Sequence, residues 1–208
     1  LQAREFSVGL DAVRPSFKFS NNGTVITPAT GTGTGDAGDW SYIPNGYLSW
    51  ALSKDVYLGI GLSAPFGLKT DYDPTWVGRF QSISFDIKTY NINPSIAWKV
   101  NDKVSLGFGV NWQRMEAEYQ RYAAVGVPLF TPPQNAAVQN TKVVLDADDD
   151  SLGWNAGVLF DLSPMTRVGV SYRSTIKHTL EGTLKFSGPA AQLLPTTSDV
   201  NAKGEIKL

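Results

Sequence analysis

The stretch that decides the fold runs from Lys103 to Gln113 and reads KVSLGFGVNWQ. Every second position is apolar, at Val104, Leu106, Phe108, Val110 and Trp112, and the positions between them carry glycine or polar residues. Successive side chains of a β-strand point to opposite faces of the sheet. The stretch therefore predicts a strand with one apolar face and one polar, glycine-rich face.

The same alternation recurs along the chain and predicts an antiparallel sheet of long strands. Seven strands are predicted at 3–19, 42–52, 56–65, 82–100, 104–119, 150–162 and 167–186, and an eighth begins near Asn201. Their connections alternate between tight turns at 53–55, 101–102 and 163–165 and long loops near 20–41, 66–81, 120–149 and 187–200. Short turns at one end and long loops at the other are typical of bacterial outer-membrane β-barrels.

Strand length separates this barrel from a soluble β-sandwich, the main alternative. Five outward apolar positions span about ten residues, or roughly 33 Å, which covers roughly 25 Å when tilted by about 40°. That is the height of the apolar band in such barrels, whereas sandwich strands average about 5–6 residues. Trp50, Trp98, Trp112 and Trp154 lie at or near the ends of apolar runs, where an aromatic girdle is expected.

Composition excludes several functional classes. The 208 residues have a formal net charge of −1, whereas nucleic-acid binders are usually basic. The chain has no apolar run long enough for a transmembrane helix, and no cysteine. His178 is its one histidine and is predicted to face outward near the rim, so the usual catalytic triads and zinc sites are excluded. We predict no catalytic residue, no metal site and no cofactor.

Three stretches resemble the FadL family of outer-membrane transporters. They are GWNAGVLF at 153–160 with Arg167 and the YRS of 172–174, GLSAPFGL at 61–68 with the WVGR of 76–79, and LGFGVN at 106–111. The resemblance covers nearly the whole chain. It implies a fourteen-stranded barrel with an N-terminal hatch, and we expect residues 1–208 to be part of one barrel domain, without the hatch and the C-terminal strands.

The resemblance also implies a function and candidate sites. Family members capture hydrophobic molecules between two extracellular loops, here near 120–149 and 187–200, and the candidate contacts are Leu129, Phe130, Leu193 and Leu194. They release the ligand sideways at a kink in the third strand, where Gly59, Gly61 and Pro65 are the candidates. Both residue types weaken strand pairing, although inward glycines also make room in a crowded lumen.

Two arginines are candidate partners for a fatty-acid carboxylate. Arg173 shares the predicted lumen face with Arg167 and Lys177, and Arg121 lies near the top of its strand. A cation in a dry pocket pairs strongly with a carboxylate. Ion pairing with lumen acids such as Glu5 is the alternative. An acidic cluster, formed by Asp146, Asp148, Asp149 and Asp150, is predicted to be a solvated rim.

The sequence therefore predicts a monomeric outer-membrane channel of a Gram-negative bacterium for passive uptake of hydrophobic molecules, foremost long-chain fatty acids. The expected partners are that ligand and the outer-membrane lipid or lipopolysaccharide. An uptake channel for aromatic hydrocarbons and a structural or adhesive barrel remain alternatives. An outer-membrane enzyme would need a histidine in its site, and the predicted outward position of His178 disfavours it.

Overall fold

The computed structural model describes residues 4–23, 31, 33–123, 137–192 and 200–207, the last range by its backbone alone. Twelve strands are present in this part of the chain. They are β1 (Arg4–Val13), β2 (Lys18–Ser20), β3 (Thr34–Asp36), β4 (Ser41–Ala51), β5 (Val56–Ser63), β6 (Gly67–Asp71), β7 (Ser84–Asn101), β8 (Val104–Tyr122), β9 (Lys142–Ser163), β10 (Thr166–Arg173), β11 (Lys177–Ser187) and β12 (Val200–Lys207).

Ten of these strands form one antiparallel sheet, which curls into a half-barrel. Its order is β1-β4-β5-β7-β8-β9-β11-β12, with β6 paired to β7 and β10 paired to β9. Strands β2 and β3 form a separate hairpin. The predicted all-β architecture is therefore confirmed. In the described residues no helix has the length and apolar character needed to cross a membrane.

The outward face of the sheet carries consecutive apolar rows. Leu106, Phe108, Val110 and Trp112 of β8 are all exposed, and so are Phe6 at 70% and Val8 at 69% on β1. Such a continuous exposed apolar face is unfavourable in water and suits lipid acyl chains. The apolar rows end sharply, because the next outward residue of β8 after Trp112 is Arg114.

A mixed-charge panel covers the outward face beyond that boundary. Arg114 contacts Asp148 at 2.9 Å, Asp150 at 3.0 Å and Glu116 at 3.1 Å. Lys185 contacts Asp146 at 3.2 Å. The side chains of Asp146, Asp148 and Asp150 are 45–55% exposed, which agrees with the predicted solvated rim. They lie on β9, which begins eight residues earlier than predicted, and they are ion-paired across strands.

The predicted seventh strand is interrupted and divides into β10 and β11, with 174–176 between them. The predicted third strand, 56–65, corresponds to β5, but the predicted loop 66–81 contains a further strand, β6, which follows β5 after an interruption at 64–66. The predicted first strand also ends early, at Val13, and Phe19 belongs to the separate hairpin. Alternation persists through these places in the sequence, so it does not reveal the breaks.

Candidate functional site

The lumen face of the sheet carries the residues that a channel would present to its ligand. Its middle is a band of buried polar side chains, namely Thr89, Asn91, Asn111, Gln113 and His178, which are all 3% exposed or less. Glycines opposite them supply the space. A Cβ on Gly109 would lie 2.8 Å from Asn93 Nδ2 and 2.9 Å from Asn155 Oδ1, closer than real Cβ atoms come.

His178 lies inside this band, so its predicted outward position is wrong. Its Nδ1 is 2.9 Å from Asp149 Oδ2 and its Nε2 is 2.9 Å from Gln113 Oε1. The cause is one extra residue in the interrupted strand. Arg173 pairs with Asn155 and Glu181 with Asp148, so seven residues (174–180) lie opposite six (149–154). An odd insertion turns every later side chain to the other face.

The same insertion separates the three cations that were predicted to share a face. Arg173 precedes it and faces the lumen, where it lines a cavity. Lys177 follows it, is exposed and points away from its neighbour His178. Arg167 faces the lumen but is paired with Asp161. Arg173 is therefore the member of this set that faces the lumen without an ion pair to the described residues.

The cavity beside Arg173 has a volume of about 420 Å³ and lies against the inner faces of β1, β4, β5 and β7. Most of its lining is small or polar. It includes Glu5, Ser7, Tyr47, Gly59, Gly61, Asn91, Asn93 and Ser95. Arg173 reaches it from β10 and makes no ion pair or hydrogen bond with the part of the chain that the structure describes. The cavity thus joins an available cation to a mostly neutral polar wall.

The wall beside this cavity is parted where β5 gives way to β6. Strand β4 pairs with β5 from Gly46↔Leu62 to Ala51↔Tyr57, and its residues 41–45 have no partner on that side within the described strands. Strand β6 pairs with β7 alone. Pro65, which has no N–H to donate to a ladder, lies in the interruption. Gly59 and Gly61 lie below it, in the regularly paired part of β5.

Thr89 holds the interrupted strand to its remaining neighbour. Its Oγ1 accepts a hydrogen bond from Phe66 N and donates one to Phe66 O, both at 2.8 Å, and Thr89 N donates to the same carbonyl at 3.0 Å. One buried hydroxyl thus satisfies both backbone groups of Phe66. At the break in the wall, both backbone groups of Phe66 are therefore hydrogen-bonded.

The remaining candidates lie apart from the cavity. Arg121 is half-buried near the end of β8, opposite Val143, and does not line the cavity of Arg173. Leu129, Phe130, Leu193 and Leu194 fall outside the described residues. The ends of both loops meet in an apolar cluster of Ala123, Val138, Val143 and Ala190.

Sequence reasoning missed the polar band, because alternation marks lumen residues as polar without showing which of them pack together. The available sign of this band was asparagine at the lumen positions of three consecutive paired strands: Asn91 and Asn93 on β7, Asn111 on β8 and Asn155 on β9.

Comparisons with known proteins agree with this architecture. A family model described as outer membrane protein transport protein (OMPP1/FadL/TodX) matches residues 1–208. The long-chain fatty acid transport protein of Salmonella typhi is 27% identical over 159 residues, which are 73% of this chain and 37% of that protein. The chain spans about a third to a half of the length of the curated relatives that it matches.

Two solved structures share the fold. A Pseudomonas aeruginosa FadL homologue has a TM-score of 0.68 at 20% identity, covering 98% of this chain and 53% of its own. The Ralstonia pickettii toluene transporter TbuX has a TM-score of 0.61 at 17% identity, covering 99% of this chain and 55% of its own. At these identities the likeness concerns the fold.

Proposed function

Since the chain belongs to the OMPP1/FadL/TodX family of outer membrane transport proteins, we propose that it forms part of the wall of a channel for uptake of hydrophobic molecules. The observation that carries the proposal is the two-faced sheet. Its outward rows are apolar, its lumen face is polar and contains a cavity, and its wall is parted beside that cavity. The channel is passive and monomeric.

The ligand class that we propose is long-chain fatty acids. Relatives are named for two kinds of cargo, long-chain fatty acids in Salmonella typhi and toluene in Ralstonia pickettii. Arg173 favours the first, because an uncompensated guanidinium beside a cavity gains a charge-assisted hydrogen bond from a carboxylate and nothing comparable from a hydrocarbon. Aromatic hydrocarbons are the second candidate.

The proposed route starts at the long loops and ends in the membrane. Leu129, Phe130, Leu193 and Leu194 hold the acyl chain in an apolar groove, and Arg121 stands near the mouth. The ligand then passes to the cavity of Arg173. It leaves sideways between residues 41–45 of β4 and β6, with Gly59, Gly61 and Pro65 shaping that exit. The missing pairing on this side of β4 supports the exit, because a paired ladder would have to be broken to admit an acyl chain.

Uptake by living cells tests the proposal. Cells that lack their own carrier and produce the full-length protein should take up labelled oleate above background. The variant Arg173→Ala should take up less oleate, and Arg167→Ala, a matched arginine on the same strand that is already paired with Asp161, should keep wild-type uptake.

Three outcomes separate the alternatives. Uptake of toluene without oleate would replace the fatty acid by an aromatic hydrocarbon. Equal oleate uptake by Arg173→Ala and the wild type would remove Arg173 as the carboxylate partner. Uptake of neither compound by protein that is present in the outer membrane would favour a structural or adhesive barrel.

A further inference from the structure

Four asparagines form a hydrogen-bonded ladder across the lumen faces of β7, β8 and β9. Asn91 Nδ2 donates to Asn111 Oδ1 at 3.2 Å, and Asn111 Nδ2 donates to Asn155 Oδ1 at 2.9 Å. Asn93 Nδ2 lies between them, 3.1 Å from Asn111 Oδ1 and 2.9 Å from Asn155 Oδ1. The ladder therefore runs from Asn91 to Asn155 and ends next to β10.

One backbone contact fixes the direction of the whole ladder. Asn93 Nδ2 is 2.9 Å from the carbonyl oxygen of Val110, and a carbonyl can only accept. The group of Asn93 that faces it must be the NH₂. Its second hydrogen can be donated to Asn111 Oδ1 or to Asn155 Oδ1, and the hydrogen bond from Asn111 Nδ2 to Asn155 Oδ1 then orients the other of these two amides. Each amide orientation follows from the Val110 carbonyl, so the ladder has an acceptor end and a donor end.

The two ends differ in what they offer. At Asn91, which is 3% exposed, Oδ1 is buried without a partner, and this is the acceptor end. At Asn155 the oxygen faces the NH₂ groups of Asn93 and Asn111, which directs Nδ2 away from the ladder. Asn155 is half-buried and pairs in register with Arg173 on the same face of the sheet. Side chains of such cross-strand partners lie about 5 Å apart at their Cβ atoms.

We propose that Asn155 Nδ2 and the Arg173 guanidinium together form a subsite for the carboxylate of an amphipathic ligand, with Asn155 as a specificity-determining residue. The inference rests on the proposed uptake function and deepens it. Both groups are donors and neither is occupied by the described protein. Two neighbouring donors favour an anion over a neutral ester or alcohol, because hydrogen bonds to a charged acceptor are about twice as strong. Glu5, the acid that also lines the cavity, makes no ion pair with Arg173.

Binding of three probes to the purified full-length protein tests the subsite. The probes are oleate, methyl oleate and oleyl alcohol at pH 8, which share one acyl chain and differ in the head group. Wild-type protein should prefer oleate. Asn155→Asp keeps an oxygen for Asn93 and Asn111 but replaces the N–H end by a carboxylate. It should weaken oleate binding about 10- to 100-fold and leave the ester and the alcohol unchanged.

Two further variants guard against a purely structural effect. Asn155→Ser shortens the side chain without adding charge and should weaken oleate alone, by a smaller factor. Ser151→Ala, on the same strand and face but hydrogen-bonded to Lys177 O, should bind all three probes like the wild type. In the Arg173→Ala background Asn155→Asp should have a reduced effect, because the two residues share one carboxylate.

The results that would overturn the subsite differ from those that would overturn transport. A wild type that binds the three probes equally, an Asn155→Asp variant that binds oleate normally, or one that loses all three probes equally, would each reject the subsite and leave uptake of hydrophobic molecules standing. A wild type that binds none of the probes would reject both.

Discussion

The interruptions at 64–66 and 174–176 are alike in construction and unlike in result. At the first, Ser63 pairs with Asn91 and Gly67 with Lys88, so three residues lie opposite two. At the second, seven residues lie opposite six. Each insertion turns the following strand over. Yet β11 remains paired on both sides, with β9 and β12, whereas β6 has lost β4.

The comparison shows that an inserted residue does not by itself part the wall. Each break is held to its neighbour by a hydroxyl: Thr89 binds Phe66 at the first, and at the second Ser174 Oγ accepts from Trp154 N at 2.9 Å while Ser174 N donates to Trp154 O at 2.8 Å. The wall opens at the first interruption because β4, the neighbour of β5 on the side away from β7, does not pair with β6. The unpaired edge of β4 is therefore what distinguishes the two interruptions.

Removing the second insertion should have the largest effect. Deletion of Thr175 turns β11 over, so His178 and Leu180 leave the lumen and Glu181 enters it. Asp149 would lose the imidazole that it contacts at 2.9 Å. We expect the full-length protein to fail to assemble, measured as its amount in the outer-membrane fraction. Normal assembly would show that β11 tolerates either face.

Removing the first insertion should spare assembly and abolish transport. Deletion of Pro65 leaves two residues opposite two, so that the strand can continue straight and offer a ladder to residues 41–45 of β4. We expect wild-type amounts in the outer membrane and oleate uptake at background. The control is substitution by Pro65→Ala, which keeps the insertion and should keep uptake; full uptake after the deletion would contradict a lateral exit at this place.

Removing each hydroxyl compares how strongly the two breaks are held. Thr89→Val leaves Phe66 N without an acceptor at a partly buried position and should lower the free energy of unfolding by about 1–3 kcal/mol. Ser174→Ala leaves Trp154 N unpaired at a more exposed position and should cost less, about 1 kcal/mol. Urea unfolding of both variants in lipid vesicles measures the difference. A larger loss for Ser174→Ala would reverse this ranking of the two breaks.

The smallest effect concerns the hairpin beside the parted wall. Asp71 N donates to Ala37 O at 3.0 Å, so the chain after β3 lies against the open edge of β6. The hydrogen bond from Ser16 Oγ, followed by those from Gly38 N and Phe17 N, lowers the pKa of Asp36. A carboxyl group whose pKa is lower in the folded state stabilises the fold at pH values above its unfolded-state pKa. This stabilisation is lost as the pH falls through the folded-state pKa.

Hydrogen exchange of the backbone amides at Phe17 and Lys18 measures this dependence. Exchange should be unchanged between pH 7 and pH 5, after correction for the intrinsic rate, and should rise below about pH 4 while β8 stays protected. In Asp36→Asn the rise should disappear. An identical rise in that variant would assign the acid sensitivity to another group.

The sequence predicted the strands and their two faces wherever one strand is paired regularly to the next. Alternation in β8 was sufficient because its outward face meets one environment from Val104 to Trp112. It failed at His178 for a physical reason. After the insertion the even-numbered residues face the lumen and no longer face outward. They are still apolar there, because this part of the lumen side is packed, with Ile176 and Leu180 buried.

The candidate site was only partly predictable. Arg173 was found because a cation on a lumen face is conspicuous. The asparagine ladder was not, since its meaning depends on cross-strand register and on the Val110 carbonyl, which no periodicity records. Likewise, Pro65 suggested a weakened strand, but the loss of β4 as its neighbour is a property of three strands together.

The change from Trp112 to Arg114 on the outward face has a consequence for how deeply the barrel is inserted in the membrane. If the barrel wall moved one row of side chains deeper into the membrane, Arg114 and its carboxylates would leave water and contact acyl chains. If it moved one row outward, tryptophan and leucine side chains would become exposed to water. The boundary between apolar and charged residues thus fixes the vertical position of the barrel in the bilayer. Both interruptions lie within a few residues of it along their partner strands, so a molecule leaving beside Pro65 would join the leaflet near its surface and settle inward afterwards.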